Sequence, residues 1–308
     1  MTVSPAQVSD EPAPARWRAG LADYLSLTKP RIALLVLVTE YTGIWLAFGG
    51  RPPLSLLVPA LLGTGLASMS SGVLNNVVDR NIDAVMARTA GRPLAARRVS
   101  ERSALAFGLV LALVSGAILA LAVNLLAAYL ALATIAFYVL IYTVWLKRAT
   151  PMCTSIGGLA GALPPVIGWA AVQGSVASPV PWFLFALLFL WQPAHFWALA
   201  IVRKEEYRAA HIPMLPVVKG DAVTQRHMFW WTVITVSFAL GAQPLGLTGQ
   251  YYTVVAAIMG VYYMALTVRF VTRPVDNGRA RQLFFVSILY LFVVFTMLFV
   301  DGKVNGGL

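Results

Sequence analysis

Nine apolar runs, each near the ~20 residues that cross a bilayer, follow one another through this sequence with hardly a charge inside them. We read them at 32–49, 54–74, 104–122, 124–146, 153–173, 181–202, 228–247, 251–271 and 283–300. In hydrocarbon every backbone N–H and C=O must be paired within the chain, so such runs fold as helices or closed barrels, and runs of this length are helical. The chain is 59% hydrophobic and 11% charged, far from the make-up of a soluble domain. The predicted fold is therefore all-α, a polytopic bundle whose solvent is the lipid bilayer.

The net charge of +11 could signal a nucleic-acid partner, but the placement of the basic residues argues against one. They occupy alternate gaps: Arg16, Arg18, Lys29 and Arg31; Arg80, Arg88, Arg92, Arg97, Arg98 and Arg102; Lys147 and Arg148; Arg203, Lys204, Arg208, Lys219 and Arg226; Arg269, Arg273, Arg279 and Arg281. Only Arg51 and Lys303 fall in the other set. Positive residues stay on the cytoplasmic side, so this set is predicted inside, with an odd number of spans and the C-terminus outside.

Residues 1–23 are rich in Ala and Pro, with no apolar core of a signal peptide and without the Arg and Ser density of a transit peptide. They read as a loose cytoplasmic tail, followed by one transmembrane domain at 24–300 and a short outer tail at 301–308. The single Cys153 excludes an intramolecular disulfide and reads as packing. Gly157, Gly158, Gly161 and the Pro164–Pro165 pair predict close packing and a kink in the fifth span.

Outer gaps are short, whereas the inner gaps at 79–103 and 203–227 are long and mix acids with many basic residues. Both follow even-numbered spans, which suggests a weak internal repeat. Function is expected there. The second span ends in Asn75-Asn76-Val77-Val78-Asp79-Arg80-Asn81-Ile82-Asp83. Asn75, Asp79 and Asp83 are spaced i, i+4, i+8 and share one helix face. Two carboxylates one turn apart at a membrane surface repel each other unless a cation joins them. Oxygen-only ligands suit Mg²⁺, which takes one or two carboxylates and completes its shell with water and phosphate oxygens.

Arg88-Thr89-Ala90-Gly91-Arg92-Pro93 follows directly, and the guanidinium fork of Arg88 or Arg92 matches phosphate oxygens. The plainer alternative pairs Asp79 and Asp83 with Arg80 and Arg88. Three oxygen ligands in register ahead of an arginine loop favour a metal-diphosphate site. Lys29, Arg31 and Arg203, at the inner ends of their spans, are further candidate phosphate ligands.

The sixth span ends in Trp191-Gln192-Pro193-Ala194-His195-Phe196-Trp197, and Arg203-Lys204-Glu205-Glu206-Tyr207-Arg208 opens the second long loop. If the helix continues to Glu206, His195 lies about 20° off that face and about 16 Å deeper. Glu206 then faces the first acidic column as a ligand for a second Mg²⁺ or a water-orienting base, or else pairs with Arg203 or Arg208. His195, inside a span, is a candidate for substrate contact. His211 in the loop is a weaker candidate, in a segment that Pro213 and Pro216 hold rigid, and His227 marks the start of the seventh span. Glu40 sits near the middle of the first span, where a bond to a neighbouring helix is its simplest role.

Asn75-x3-Asp79-x3-Asp83 followed by Arg88-Thr89-x2-Arg92-Pro93 resembles the first aspartate-rich motif of the UbiA family of intramembrane prenyltransferases. Thr28-Lys29-Pro30-Arg31, His195-Phe196-Trp197-Ala198-Leu199-Ala200 and the run from Glu205 to Val217 look like the family's haem-modifying branch. The resemblance departs from the aromatic-prenylating branches at Ala210, where a second Asp-x3-Asp motif would place an acid, and at Asn76, where many carry Asp. It implies transfer of a farnesyl group from farnesyl diphosphate to a vinyl group of haem B, with Mg²⁺ as cofactor and Asn75, Asp79, Asp83 and Glu206 in the catalytic set. It also implies His195, His211 and Tyr207 on the haem side, a bacterial inner-membrane location, and haem A pathway or oxidase assembly proteins as partners. An aromatic quinone precursor is the alternative acceptor. A transporter, with Glu40 and His195 on an ion path, is the alternative of another class.

Overall fold

The computed structural model describes residues 20–302, and most of the expected N-terminal tail and of the outer tail lies outside them. A short α1 (Leu21–Leu27) precedes α2 (Pro30–Phe48), α3 (Leu54–Val85) and α4 (Glu101–Ala122). The fourth pass begins as α5 (Leu125–Ala136), widens into a π-helix over Phe137–Leu146 and ends in α6 (Lys147–Ala149). Next come α7 (Cys153–Ala162), α8 (Pro164–Gln173), α9 (Pro179–Val202), the short α10 (Lys204–Ala209) and α11 (Leu215–Val218), then α12 (Gly220–Leu240), α13 (Gln250–Val271) and α14 (Asn277–Asp301). The fifth pass breaks between α7 and α8 because Pro164 and Pro165 lack the N–H groups that would continue the ladder.

Hydrogen bonds sort the loops into two ends. At one end Lys29 Nζ reaches Asn75 (2.6 Å), Arg148 reaches the Val78 carbonyl (3.1 Å), Lys204 pairs with Asp221 (2.9 Å) and Gln225 reaches the Phe270 carbonyl (2.7 Å). At the other, Gln173 bonds Ala47 (2.7 Å), Asp301 accepts from Tyr252 N–H (2.7 Å), and Asn124 bonds the Ala170 carbonyl (2.8 Å) while capping α5. Every basic side chain of the described residues except Arg51 belongs to the first end.

Among the described residues, eight of the nine expected runs form helices that meet the length and composition needed to cross a membrane. The segment expected at 228–247 is helical over Gly220–Leu240, and its first two turns carry Asp221, Gln225, Arg226 and His227, which dilute its apolar length. It still runs antiparallel to α9 through the depth of the bundle: Phe238 stacks on Phe183 (5.0 Å), Thr235 bonds the Leu190 carbonyl (2.8 Å), and His227 meets Trp197 (5.6 Å). Gly241, Pro244 and the left-handed Gly246 end it before residue 247.

Leu34, Leu35, Leu113, Leu121, Val261, Phe285 and Phe292 point outward with no protein cover, the surface of a multi-pass membrane protein facing acyl chains. Inside, small residues let backbones touch: a Cβ on Gly43 would overlap the Pro165 carbonyl, and one on Gly168 the Glu40 carbonyl. These two glycines pin α2 to α8. Glu40 is fully buried beside them and accepts a hydrogen bond from Thr64 of α3 (2.7 Å), the neighbouring-helix bond expected for it.

Candidate active site

The helix α3 runs 32 residues, longer than the ~20 that cross a bilayer, and carries the polar stretch after Leu74 on its last turns. Asn75, Asp79 and Asp83 therefore sit on one continuous helix, all three buried. The Asn75 amide donates to Asp79 Oδ2 (2.9 Å) and to Thr143 Oγ1 (3.2 Å), and its oxygen accepts from Lys29 Nζ. Lys147 Nζ donates to Asp79 Oδ2 at 2.5 Å, and Arg148 stands 3.9 Å from Asp79 Oδ1, too far for a hydrogen bond. That Oδ1 is buried with no hydrogen-bond partner. One Arg92 nitrogen bridges both Asp83 oxygens (2.9 and 2.7 Å), and Thr89 donates to the Asp83 carbonyl (2.9 Å).

The acids thus find basic partners, though not Arg80 and Arg88. Arg80 turns away to Glu101 (3.1 Å). Lys29 occupies the left-handed region (φ 52) just before Pro30, a strained backbone that aims its side chain at the column. Burial holds its ammonium down to about 7, with Arg92 pushing the same way and Asp79 and Asp83 opposing. Asn76 lies off the column, its amide bonding the carbonyls of Leu27 (3.1 Å) and Gly72 (2.8 Å) and tying α3 to α1.

The second loop forms a neighbouring cluster. The sixth-span helix stops at Val202 and Arg203 breaks the dihedral run (φ −110, ψ 20), so Glu206 lies on α10 rather than on the face that carries His195. The expectation of a continuous helix to Glu206 does not hold. Glu206 Oε1 pairs with Arg203 (3.4 Å) and its Oε2 is buried with no hydrogen-bond partner, while Glu205 pairs with Arg208. Arg88 is exposed, with Arg203, Arg92, Tyr207 and Glu206 around it; partial desolvation and the two arginines lower its pKa. Burial likewise raises the Tyr207 hydroxyl.

His195 is buried in the α9–α14 interface. Its Nδ1 is 2.8 Å from Ser287 Oγ, and its ring is stacked between Trp191 (4.2 Å) and Phe284 (4.4 Å). Ser287 gives its own proton to the Phe284 carbonyl (2.6 Å), so His195 carries the hydrogen on Nδ1. His211 is exposed in the left-handed region (φ 55) after α10, and Arg31 is exposed on the first turn of α2. None of these three lies among the column's partners.

Below the column opens a cavity of about 680 Å³, counting its mouth, between α2, α3, the fourth pass and α7–α8. Thr28, Lys29 and Gly72 line its head; Thr64, Pro164 and Ile167 line its depth. Its surface is overwhelmingly apolar, which suits a hydrocarbon chain. Lys147 and Thr143, which bond the column, and the cavity-lining Tyr138 are candidate site residues that helical periodicity does not reveal; the one available signal was the basic pair Lys147–Arg148 at a helix end. Among the described residues no three His, Cys, Asp or Glu side chains gather as a cage. The donor set is two carboxylates and an amide.

The pattern of the UbiA prenyltransferase family matches residues 36–289. A protoheme IX farnesyltransferase of Gloeobacter violaceus is 43% identical over 287 residues, covering 93% of this chain and 94% of that protein. Protoheme IX farnesyltransferase 1 of Pseudomonas fluorescens is 45% identical over 296 residues, 96% of each. Among solved structures, a UbiA homolog from Archaeoglobus fulgidus bound to DMAPP and Mg²⁺ superposes with a TM-score of 0.63 at 17% identity, covering 90% of this chain and 99% of that one. This likeness concerns the fold.

Proposed function

Because the chain belongs to the UbiA prenyltransferase family, we propose that it transfers the farnesyl group of farnesyl diphosphate to a vinyl group of haem B, with addition of water, giving haem O and diphosphate. The observation that carries the chemistry is a buried acid-amide column, ringed by lysine and arginine, at the head of an apolar cavity. The acceptor rests on the relatives' activity.

A divalent cation, Mg²⁺ in our reading, fits Asn75, Asp79 and Asp83. Their donors are all oxygens, and the unpartnered Asp79 Oδ1 is an anionic ligand already desolvated. With few protein ligands, such a site relies on phosphate oxygens and water to complete the shell. When bound, the cation would offset charge on the departing diphosphate. Lys29, Lys147, Arg88 and Arg92 hold the diphosphate oxygens, and Glu206 with Arg203 borders them from the second loop. The cavity takes the farnesyl chain and keeps bulk water from its allylic end.

The C–O bond then breaks with both electrons on the leaving oxygen. The vinyl π pair forms the new C–C bond, and the porphyrin-side carbon takes up the positive charge. Water adds there, and its proton goes to the released diphosphate. No protein nucleophile is required. His195, His211 and Tyr207 remain our candidates for the haem side, with the inner basic rim available to its propionates. The gathering of basic residues at one end supports a cytoplasmic site, and the bacterial relatives support an inner-membrane location.

Purified protein given Mg²⁺, labelled farnesyl diphosphate and haem B should yield a labelled haem of the mass of haem O; label in a phenolic acceptor and none in haem would overturn the acceptor. Lys147→Met is expected to raise the KM for farnesyl diphosphate about tenfold, the worth of one charge-assisted contact. Initial rates across substrate concentration test it, and an unchanged KM would remove Lys147 from the diphosphate site.

A further inference from the structure

The sixth span carries one polar side chain that the steps above leave unused. Gln192 lies one turn before His195 on α9, so the two share a face. It is only 6% exposed, deep enough that its amide needs partners inside the protein. Its Nε2 has them, donating to the Gly158 carbonyl of α7 (3.0 Å) and to the Leu188 carbonyl one turn back (3.3 Å). Two carbonyls fix which way the amide points, because the flipped amide would set oxygen against oxygen. Oε1 therefore faces away from both, and it accepts no hydrogen bond from any described residue.

Two glycines decide what Oε1 meets. A Cβ on Gly161 would stand 2.8 Å from it, and one on Gly158 3.2 Å. Gly161 is an exposed residue on the last turn of α7 and lines the cavity. The amide oxygen thus reaches the cavity where the wall has no side chain. Ser68 and Ser71 line it as well, but a hydroxyl turns about its C–O bond and holds a guest in no fixed direction. Among the described residues that line the cavity there is no acid.

One step of the reaction calls for such a group. Once the vinyl carbon has bonded to the farnesyl group, the positive charge sits on the porphyrin-side carbon. Two outcomes compete there. Water adds and gives the alcohol, or the neighbouring CH₂ loses a proton and gives an alkene lighter by one water. An amide oxygen is too weak a base to take that proton, yet it accepts an O–H from water and leaves the water's lone pair free to attack. A carboxylate in its place would favour the alkene.

We propose that Gln192 positions the water that becomes the hydroxyl of the product, its Oε1 accepting one O–H while the water oxygen attacks the cationic carbon. The assignment rests on the haem-farnesylating reading above. In the step, the water oxygen gives an electron pair to the carbon, the C–O bond forms, and the released proton goes to the diphosphate. Gln192 forms no covalent bond and keeps both amide protons. The bare Gly158 and Gly161 leave the oxygen within reach.

The test uses the full chain in lipid nanodiscs with Mg²⁺, farnesyl diphosphate and haem B in H₂¹⁸O, the products being weighed by mass spectrometry. Native protein should give haem O carrying ¹⁸O. Gln192→Met keeps the length of the side chain and removes the acceptor. Its ratio of alkene to alcohol should rise about tenfold, the worth of one hydrogen bond at the branching step. Consumption of farnesyl diphosphate, which precedes the branch, should stay within about threefold of native. Gly161→Ala reaches the same oxygen from the cavity side: its methyl group displaces Oε1, the far end of a flexible side chain, so the fold survives and the same rise is expected. The Gln192→Met ratio decides, and Gly161→Ala decides in its place should that variant not fold. Native haem O beside an unshifted ratio overturns the proposal alone. A slower reaction with the native ratio does so too, and makes Gln192 a tie between α7 and α9. Native protein that leaves haem unmodified overturns the haem reading and the proposal with it.

Discussion

Asp79→Asn is expected to cut farnesyl transfer by about a thousandfold, the scale reached when one electrostatic element of an acyl- or phosphoryl-type site is removed. Asp79 is the middle of the column and only 1% exposed. It joins Asn75 on one side and Lys147 on another, and its second oxygen is buried without a partner. Asn preserves the shape and an oxygen for Lys147 while deleting the charge. Lys29, Lys147 and Arg92 would then face Asp83 alone, a field that repels a divalent cation. Folding should survive, because Lys147 keeps some solvent contact at 17% exposure and is not stranded as a sealed charge. The measurement is labelled farnesyl transfer into haem beside a thermal unfolding curve; normal turnover would defeat the metal site.

Gly43→Ala should have the largest effect on stability, about 2 kcal/mol net. A methyl group there meets the backbone carbonyl of Pro165, which cannot rotate away as a side chain can. Alanine's better helix propensity returns ~1 kcal/mol, less than the strain of forcing two helices apart. Because α2 also carries Lys29 at its start, separating it from α8 should reduce activity in parallel. Gly91→Ala is the control: nothing lies within 4 Å of the added carbon. Thermal unfolding in nanodiscs compares the two, and equal midpoints would show that the α2–α8 contact is not tight.

Much of the fold was legible because the bilayer imposes a length and a composition on each crossing. The exception is instructive: α12 runs beside α9 and α13 through the bundle, yet its polar first turns serve partners at the basic end, where Asp221 meets Lys204 and Gln225 meets the end of α13. Polar residues with assigned partners do not register in a hydropathy window. The column was legible for a related reason, since i, i+4, i+8 spacing keeps side chains together on any α-helix. Its companions were not. Reading Lys147 and Tyr138 together requires knowing that the helix between them is not α, and nothing in Phe137-Tyr-Val-Leu-Ile-Tyr-Thr-Val-Trp-Leu146 announces that winding.

The histidine reading was limited in the same way. His195 was identified as an ionisable group inside a span, but its partner Ser287 lies 92 residues away on a helix whose rotation only packing sets. Likewise the break at Arg203 separates Glu206 from the face it was expected to share.

The sequence by itself determined the solvent, the helical class, the sidedness of charge and the three-residue acid column, because each follows from a period or a composition within one segment. The tertiary structure decided which cations meet that column, where the chain cavity runs and what faces its head. Those depend on contacts between segments that are distant in the chain: Lys29 from α2's start, Lys147 from a widened fourth pass, Arg92 folded back from a loop. Local periodicity carries no information on how far one helix is turned relative to another, and the chemistry of this site is set by that rotation.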